Sequence, residues 1–357
     1  MTLLIVAQKF DRTDENLGAF AYWFEACARK AGRAIVIADS VGRYELPQNS
    51  SAHSLGKDKG KSRLRRLWTF WELFSRYYPI ADAVLFHMGP EFVIAASPFT
   101  LSLRKPTGLW YAHKSVTWKL RISERIVERI FTSSASGFRL SSKKVHAIGQ
   151  GIDTEWFAPA PRMHMPGGAL RMITIGRIAP VKNYELIIRA ASLLKDIFPR
   201  APHLYASEGR AWELALVGGP LLPRDHSYLE SLKALVRAEG LERHIRFEGA
   251  HSFSEIPDLL REYDLFLNVS GTGSMDKAVL EAMASGLTVI TANEAYRTLM
   301  PKKYFLEHLT PEFLAERIKL LADEPRPNLA LRSIVVEHHS LENTVAKMVD
   351  ILSRNDV

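Results

Sequence analysis

Cysteine is almost missing. Cys27 is the only one in 357 residues, so the chain can form no intrachain disulfide and no multi-thiolate metal site, which fits a reducing compartment. Cys27 itself, on an Ala-rich segment, reads as a small core residue. Long apolar runs are missing too: none approaches the ~18 residues of a membrane span. The N-terminal MTLLIVAQKF has neither the cationic lead-in nor the length of a signal-peptide core. It reads as a first β-strand, and the expectation is a cytoplasmic protein. No repeat of solenoid period and no low-complexity tail is visible.

What is present is an ordinary globular composition, 47% hydrophobic and 24% charged, which excludes wholesale disorder or a fibrous repeat. At ~150 residues per domain the length suggests roughly two domains, each able to bury its own core. Lys plus Arg outnumber Asp plus Glu by 47 to 39. The resulting pI near 9.4 favours an anionic partner, whether nucleic acid, anionic lipid or a sugar phosphate.

Short apolar runs alternate with helical patterns along the whole chain. Leu3–Ala7 and Ala34–Ala38 flank a helical stretch, Leu17–Gly32, in which Phe20, Phe24, Cys27 and Ala28 recur at helical spacing. Strand, helix, strand forces a parallel pair with a right-handed crossover. Further runs at Ala83–His87, Gly108–His113 and Lys144–Ile148 complete a doubly wound first half. FAPAPRMHMPGG, at 157–168, holds three prolines and two glycines and reads as a linker. Beyond it the pattern restarts, with strands at Arg171–Ile175, Glu213–Val217, Ile245–Glu248, Leu265–Val269 and Thr288–Thr291 separated by helices, and only helices from Pro311 to Leu352. Two Rossmann-like α/β domains facing across a cleft are the expected architecture, with ligands beyond the carboxyl ends of the strands.

Three places could carry chemistry. Gly176, Arg177 and Lys182 fall in a strand-to-helix loop, where the glycine permits a tight turn and the two cations either neutralise an anion such as a diphosphate or are merely solvated. In LFLNVSGTGSMDKAVLEAMASG, a glycine-rich loop leads into a helix starting around Met275, with Asp276 in its first turn. Unpaired amides at such a helix end attract anions. Glu281, among Ala, Val, Leu and Met, is either an exposed helical position or a carboxylate facing a ligand. In the first half, His113 and His87 both end strands, and Gly18 precedes the first long helix, where it either admits a ligand's close approach or is a turn glycine with positive φ.

Together IGQGIDTEWFAP (148–159), IGRIAPVKN (175–183), LVGGP (216–220), IRFEGAHSFSEIPDLLREYDLFLNVS (245–270) and VLEAMASGLTVI (279–290) resemble the retaining glycosyltransferases of family 4, with the GT-B fold. QKFDRTDENLG (8–18), FHMGPE (86–91) and WYAHKSV (110–116) are similar, more loosely, to a bacterial subgroup of that family. The resemblance implies an acceptor-side domain at 1–157, a linker at 158–168, a nucleotide-sugar domain at 169–335, and a helix at 336–357 packing back on the first domain. It implies a UDP- or GDP-sugar donor and a glycan or lipid-linked acceptor. Arg177 and Lys182 would hold the diphosphate, helped by Gly176 and the amides of Gly273, Ser274 and Met275; Glu281 would hold the ribose, and the Gly249–Phe253 backbone would meet the base. His113 would face the donor sugar, with Gly18 close by. No metal and no cofactor is then required, because cations and helix end stabilise the leaving diphosphate.

One position departs from the family. The glutamate eight residues before Glu281, which ordinarily contacts the donor sugar, is here Gly273, leaving Asp276 or Lys277 to replace that contact. A non-catalytic glycan- or partner-binding protein and a nucleotide-sugar 2-epimerase are the alternatives. Finally, GKDKGKSRLRRLWTFWELFSRYY at 56–78 runs cations into an aromatic amphipathic helix. Residues 57–74 read either as a contact with an anionic membrane surface or as aromatics packed on the core beside solvated cations. Nucleic acid is set aside, since no recognised module for it is present.

Overall fold

The computed structural model describes residues 1–160, 169–198, 212–271 and 273–354. The chain divides into two compact units, one of Met1–Gly151, Ser252–Ser254 and His338–Val357, the other of Ile152–His251 and Glu255–Glu337.

The first unit runs β1 (Thr2–Phe10), α1 (Gly18–Ala31), β2 (Arg33–Val41), β3 (Ser51–Ser54), α2 (Arg63–Tyr77), β4 (Ala83–His87), α3 (Pro90–Thr100), β5 (Thr107–Trp110), α4 (Trp118–Ile126), β6 (Arg129–Thr132) and β7 (Val145–Ala147). Its described strands form one sheet in the order β3-β2-β1-β4-β5-β6-β7, with neighbouring strands parallel. Strand periodicity separates two cores. Leu3, Ile5 and Ala7 of β1 pack with Phe24, Cys27 and Ala28 of α1, whereas Leu4 and Val6 pack on the other face with Phe70 and Phe74 of α2 and Val93 of α3.

The second unit runs β8 (Leu170–Ile175), α5 (Tyr184–Ile197), β9 (Trp212–Val217), α6 (Pro223–Ala238), β10 (Ile245–Gly249), α7 (Ile256–Arg261), β11 (Leu265–Asn268), α8 (Lys277–Ala284), β12 (Thr288–Thr291), α9 (Pro311–Leu321) and α10 (Leu329–His338). Its strands are parallel in the order β10-β9-β8-β11-β12. The last helix, α11 (Leu341–Ser353), returns to the first unit, where Leu341, Val345, Met348 and Leu352 join the core containing α1.

The first unit ends at Gly151 rather than at 157. Residues 152–157 are tied into the second unit by two arginines: Arg332 donates to the carbonyls of Thr154 and Phe157, and Arg261 to that of Trp156. Of the expected linker at 158–168, residues 161–168 lie outside the described residues. β3 and β6 have no counterpart among the strands expected from sequence. β3 is the half-buried edge segment SAHS, and β6 is only RIFT. Among the described residues no helix is long and apolar enough to cross a membrane.

Candidate functional site

In the second unit, β8, β9 and β11 end beside one another, and the loops leaving them bring together most of the residues singled out in that half. Their closeness depends on one glycine. Gly218 has φ +139°, and a Cβ built there would lie 2.0 Å from the Gly176 carbonyl oxygen, so only glycine lets the loop after β9 lie against that after β8. The tight turn expected at Gly176 is therefore at Gly218; Gly176 has no positive φ. Its carbonyl accepts from Tyr184 Oη at 2.8 Å.

Lys182 closes a short 3-10 turn, Pro180–Lys182. Its Nζ donates to Asp276 Oδ1 at 2.9 Å. The other carboxylate oxygen, Oδ2, accepts from Asn268 Nδ2 at 2.9 Å and Ser270 Oγ at 2.7 Å. Burial pushes the Asp276 carboxyl upward, yet Lys182, Asn268 and Ser270 outweigh it and hold the group below the ordinary carboxylate value. Thr291 Oγ1 in turn fixes Asn268 by donating to its Oδ1 at 2.9 Å.

This corrects one expectation. Helix α8 starts at Lys277, not around Met275, so the amides of Gly273, Ser274 and Met275 precede the helix, and Asp276 is its N-cap residue without making a side-chain cap. Asp276, offered as a replacement for the sugar-contacting glutamate, has both oxygens engaged, Oδ1 by Lys182 and Oδ2 by Asn268 and Ser270. Met275 is buried, the Ser274 carbonyl accepts from Asn293 Nδ2 at 2.6 Å, and Gly273 sits at φ +68°. A glutamate at 273 would be strained in that conformation.

Arg177 is less committed. Its Nε lies 3.9 Å from Asp225 Oδ2, beyond hydrogen-bond range, and its side chain is 36% exposed. Asp225 is itself anchored by the backbone amide of Leu222 at 3.0 Å. Glu281, on α8, is not an exposed helical position: it is 5% exposed, and its Oε1 has no hydrogen-bond partner. Burial pushes its carboxyl up to about 7, against the opposing pull of Lys277. Asp225, Asn268 and Ser270 were not singled out from sequence as site residues.

Gly18 and His113 lie in the first unit. Gly18 opens α1 without a positive φ, so it is not a left-handed turn glycine; a Cβ there would meet the Arg12 carbonyl oxygen at 2.8 Å. His113 is exposed, and its Nδ1 accepts from the Ser115 amide at 3.1 Å. In the neutral ring that leaves Nε2 as the N–H donor. His87 is buried, its ring centroid 4.3 Å from that of Phe20.

The amphipathic stretch divides between its two readings. Phe70 and Phe74 are core residues, Trp71 Nε1 donates to the Ala95 carbonyl at 2.9 Å, and Arg66 pairs with Asp39 at 2.6 Å. Leu64 and Trp68, four residues apart, remain 73% and 69% exposed, beside exposed Lys57, Lys59, Lys61, Arg63 and Arg65.

Two doubly wound parallel sheets of this order are the GT-B fold. Anabaena HepE, solved in complex with UDP, matches with a TM-score of 0.75 at 15% identity over 99% of this chain and 100% of that one. Sucrose-phosphate synthase from Thermosynechococcus elongatus matches with 0.73 at 14% identity over 98% of each. Residues 164–330 match the family model "Glycosyl transferases group 1". Mannosylfructose-phosphate synthase of Agrobacterium fabrum is 30% identical over 162 residues, 43% of this chain and 34% of that protein. D-inositol 3-phosphate glycosyltransferase of Kineococcus radiotolerans is 31% identical over 157 residues, 42% of this chain and 34% of that protein. The matched stretch thus spans about a third of these curated relatives.

Proposed function

We propose that this protein is a retaining glycosyltransferase that moves a sugar from a UDP- or GDP-sugar to a hydroxyl of a glycan or lipid-linked acceptor. The observation that carries this reading is the buried, unpartnered Oε1 of Glu281 in the same unit as Arg177 and Lys182. A buried carboxylate oxygen without a donor is costly, and the two hydroxyls of a ribose are donors that would satisfy it.

In this reading Arg177 and Lys182 stabilise the charge that develops on the leaving diphosphate, assisted by the first-turn amides of α8, and no metal or cofactor is needed. His113 would offer its Nε2–H to a sugar hydroxyl, with Gly18 leaving room for the ligand's approach. No carboxylate here is assigned as a nucleophile. Retention would follow from front-face departure: the bond from the anomeric carbon to the diphosphate breaks, the acceptor hydroxyl's oxygen bonds to that carbon on the same face, and the leaving phosphate takes the hydroxyl's proton; the protein supplies orientation and charge. HepE, crystallised with UDP, and the sugar-transferring relatives support the donor class. Lys57 to Arg65 with Leu64 and Trp68 would hold the enzyme on the anionic cytoplasmic face of a membrane, in polysaccharide biosynthesis.

UDP or GDP should raise the melting temperature, and screening nucleotide sugars by mass spectrometry should reveal transfer that Arg177→Ala and Lys182→Ala both lower. If neither nucleotide protects the fold, the donor site is misassigned. If a nucleotide binds but no sugar is transferred, the non-catalytic reading replaces the enzymatic one. Co-sedimentation with anionic vesicles that Trp68→Ser leaves unchanged would exclude the membrane contact through α2.

A further inference from the structure

Three helices cover one face of the first unit's sheet. Phe70 of α2, Val93 and Ala96 of α3 and Leu120 of α4 share one core with Leu4 and Val6 of β1. The layer is pinned across its width: Trp71 Nε1 on α2 donates to the Ala95 carbonyl of α3 at 2.9 Å, and Ser123 Oγ on α4 donates to the Pro90 carbonyl of α3 at 2.8 Å. Packed helices lie about 8–10 Å apart, so α2 and α4 stand roughly 20 Å from each other on either side of α3.

α4 turns a second apolar and cationic stripe outward. Thr117 caps the helix, its Oγ1 accepting from the Leu120 amide at 3.2 Å. Leu120 and Ser123 are its buried residues, so Trp118, Arg121, Ile122 and Arg125, at i, i+3, i+4 and i+7, share the opposite side. Trp118 is 66% exposed and Ile122 37%. The charges are sorted as well: both arginines are exposed, whereas Glu124 is half-buried and its Oε1 accepts from Ser142 Oγ at 2.8 Å. Across α3, whose one charged residue is Glu91, α2 repeats the arrangement with exposed Leu64 and Trp68 beside exposed Arg63 and Arg65. Between the two stripes α3 presents half-buried Ile94 and exposed Pro98.

This spacing selects the occupant. A partner helix, about 10–12 Å across with its side chains, could cover one stripe but not both. A fluid bilayer surface has no such limit. Indole rings and branched side chains sink to its headgroup boundary, and guanidinium groups beside them meet lipid phosphates. The outward charges of α4 are both guanidinium groups, so the complement is an anionic surface.

We propose that α4 is a second membrane-docking helix, and that the first unit lies with its α2-α3-α4 layer against an anionic bilayer and the face carrying α1 turned away. The contact through α2 is then one edge of a broader surface, and neither edge rests on the transferase reading. In the full chain, Leu64→Cys, Ile122→Cys and Lys30→Cys are each labelled with a fluorophore that brightens in apolar surroundings; Cys27 is fully buried and stays unlabelled. Lys30 is exposed on α1, which packs on the other face of the sheet. With vesicles of equal parts phosphatidylcholine and phosphatidylglycerol, the labels at 64 and 122 should brighten and the label at 30 should not. In co-sedimentation, Trp118→Ser and the pair Arg121→Gln with Arg125→Gln should each weaken binding about tenfold. These side chains are at the surface, and each variant is accepted as folded when its melting curve matches the parent. Vesicle binding with an unchanged label at 122 confines docking to α2 and overturns the second helix. Equal brightening at 30, equal binding to phosphatidylcholine alone, or no vesicle binding overturns it too. Brightening at 122 without vesicles, growing with protein concentration, makes α4 an interface between copies of this chain instead. Thermal protection by UDP, read on the same variants, reports the donor site separately, so loss of docking and failure of the transferase reading are told apart.

Discussion

Glu281→Gln should stabilise the second unit at alkaline pH while removing nucleotide binding. The Glu281 carboxyl, ordinarily near 4.5, is raised to about 7 by burial, with Lys277 opposing. Between about pH 4.5 and 7 the unfolded chain has lost this proton and the folded chain retains it, so stability falls as pH rises through that window and levels off above it. The penalty is fully present at pH 8, where it amounts to about 3 kcal/mol. Glutamine has the same shape and no charge to desolvate, and the raised value already includes the opposing attraction of Lys277. For a unit of this size 1 kcal/mol moves the midpoint by roughly 2–4 °C, so the variant should melt about 6–12 °C higher at pH 8 and close to the parent at pH 4.5. Calorimetry of both proteins across this range measures the difference. A pH-independent difference, or a less stable variant at pH 8, refutes the burial argument. Hydroxyls donating to the carboxylate would favour its ionised form, so UDP affinity of the parent should rise with pH through about 7. Affinity flat across that range in the parent, or unchanged in the variant, would leave the buried carboxyl but remove it from the ribose.

Gly218→Ala puts a methyl group into the Gly176 carbonyl at a positive φ; a loss of ~3 kcal/mol or more in urea unfolding is expected, and a loss under ~1 kcal/mol would mean that the two loops part easily. Asp276→Asn keeps the shape but removes the charge opposite Lys182, so acid unfolding, which in the parent includes the loss of this ionised carboxylate's stabilisation below about pH 4, should become less steep there; identical acid profiles would exclude Asp276 as a contributor. Cys27 is fully buried and its thiol is pushed far above its ordinary value; it should resist disulfide reagents in the native state and react once per chain on unfolding, and fast native reaction would contradict its packing.

The periodic parts of the fold were legible before any coordinates. LLIVA, AVLFH and LALV are continuous apolar runs because strands buried on both faces cannot alternate, and each is a strand in the sheets above. SAHS carries no such mark, since β3 is an edge strand with only half-buried residues. Helical spacing showed that α2 is amphipathic but not which stripe faces inward; Phe70 and Phe74 do, and Leu64 and Trp68 do not. The departure at Gly273 was visible from its spacing to Glu281, whereas the left-handed backbone there, φ +68°, was not. Pairing between distant residues was the least legible. Lys182 and Asp276 are 94 positions apart, and no local pattern announces that one consumes the other.

That pairing changes how the two cations should behave. From sequence Arg177 and Lys182 are equivalent candidates for a diphosphate. In the structure Lys182 is 18% exposed and bonded to an equally buried carboxylate, while Arg177 is 36% exposed with only a long approach to Asp225. An incoming diphosphate must compete with Asp276 for the lysine, but meets the guanidinium, with its fork of donors, largely uncommitted. Lys182→Ala leaves Asp276 buried without its counter-ion, at a cost of about 3 kcal/mol to stability, so the melting temperature should fall by roughly 6–12 °C. Arg177→Ala breaks no hydrogen bond and leaves Arg224 4.0 Å from Asp225, so it should lower the melting temperature by less than Lys182→Ala does. Affinity for UDP should follow the opposite order, falling more steeply for Arg177→Ala than for Lys182→Ala. Melting curves with and without UDP read both quantities on one sample. If Lys182→Ala proves the weaker binder and the equally stable variant, Asp276 is not the lysine's resting partner, and the charge arrangement drawn from this site is wrong.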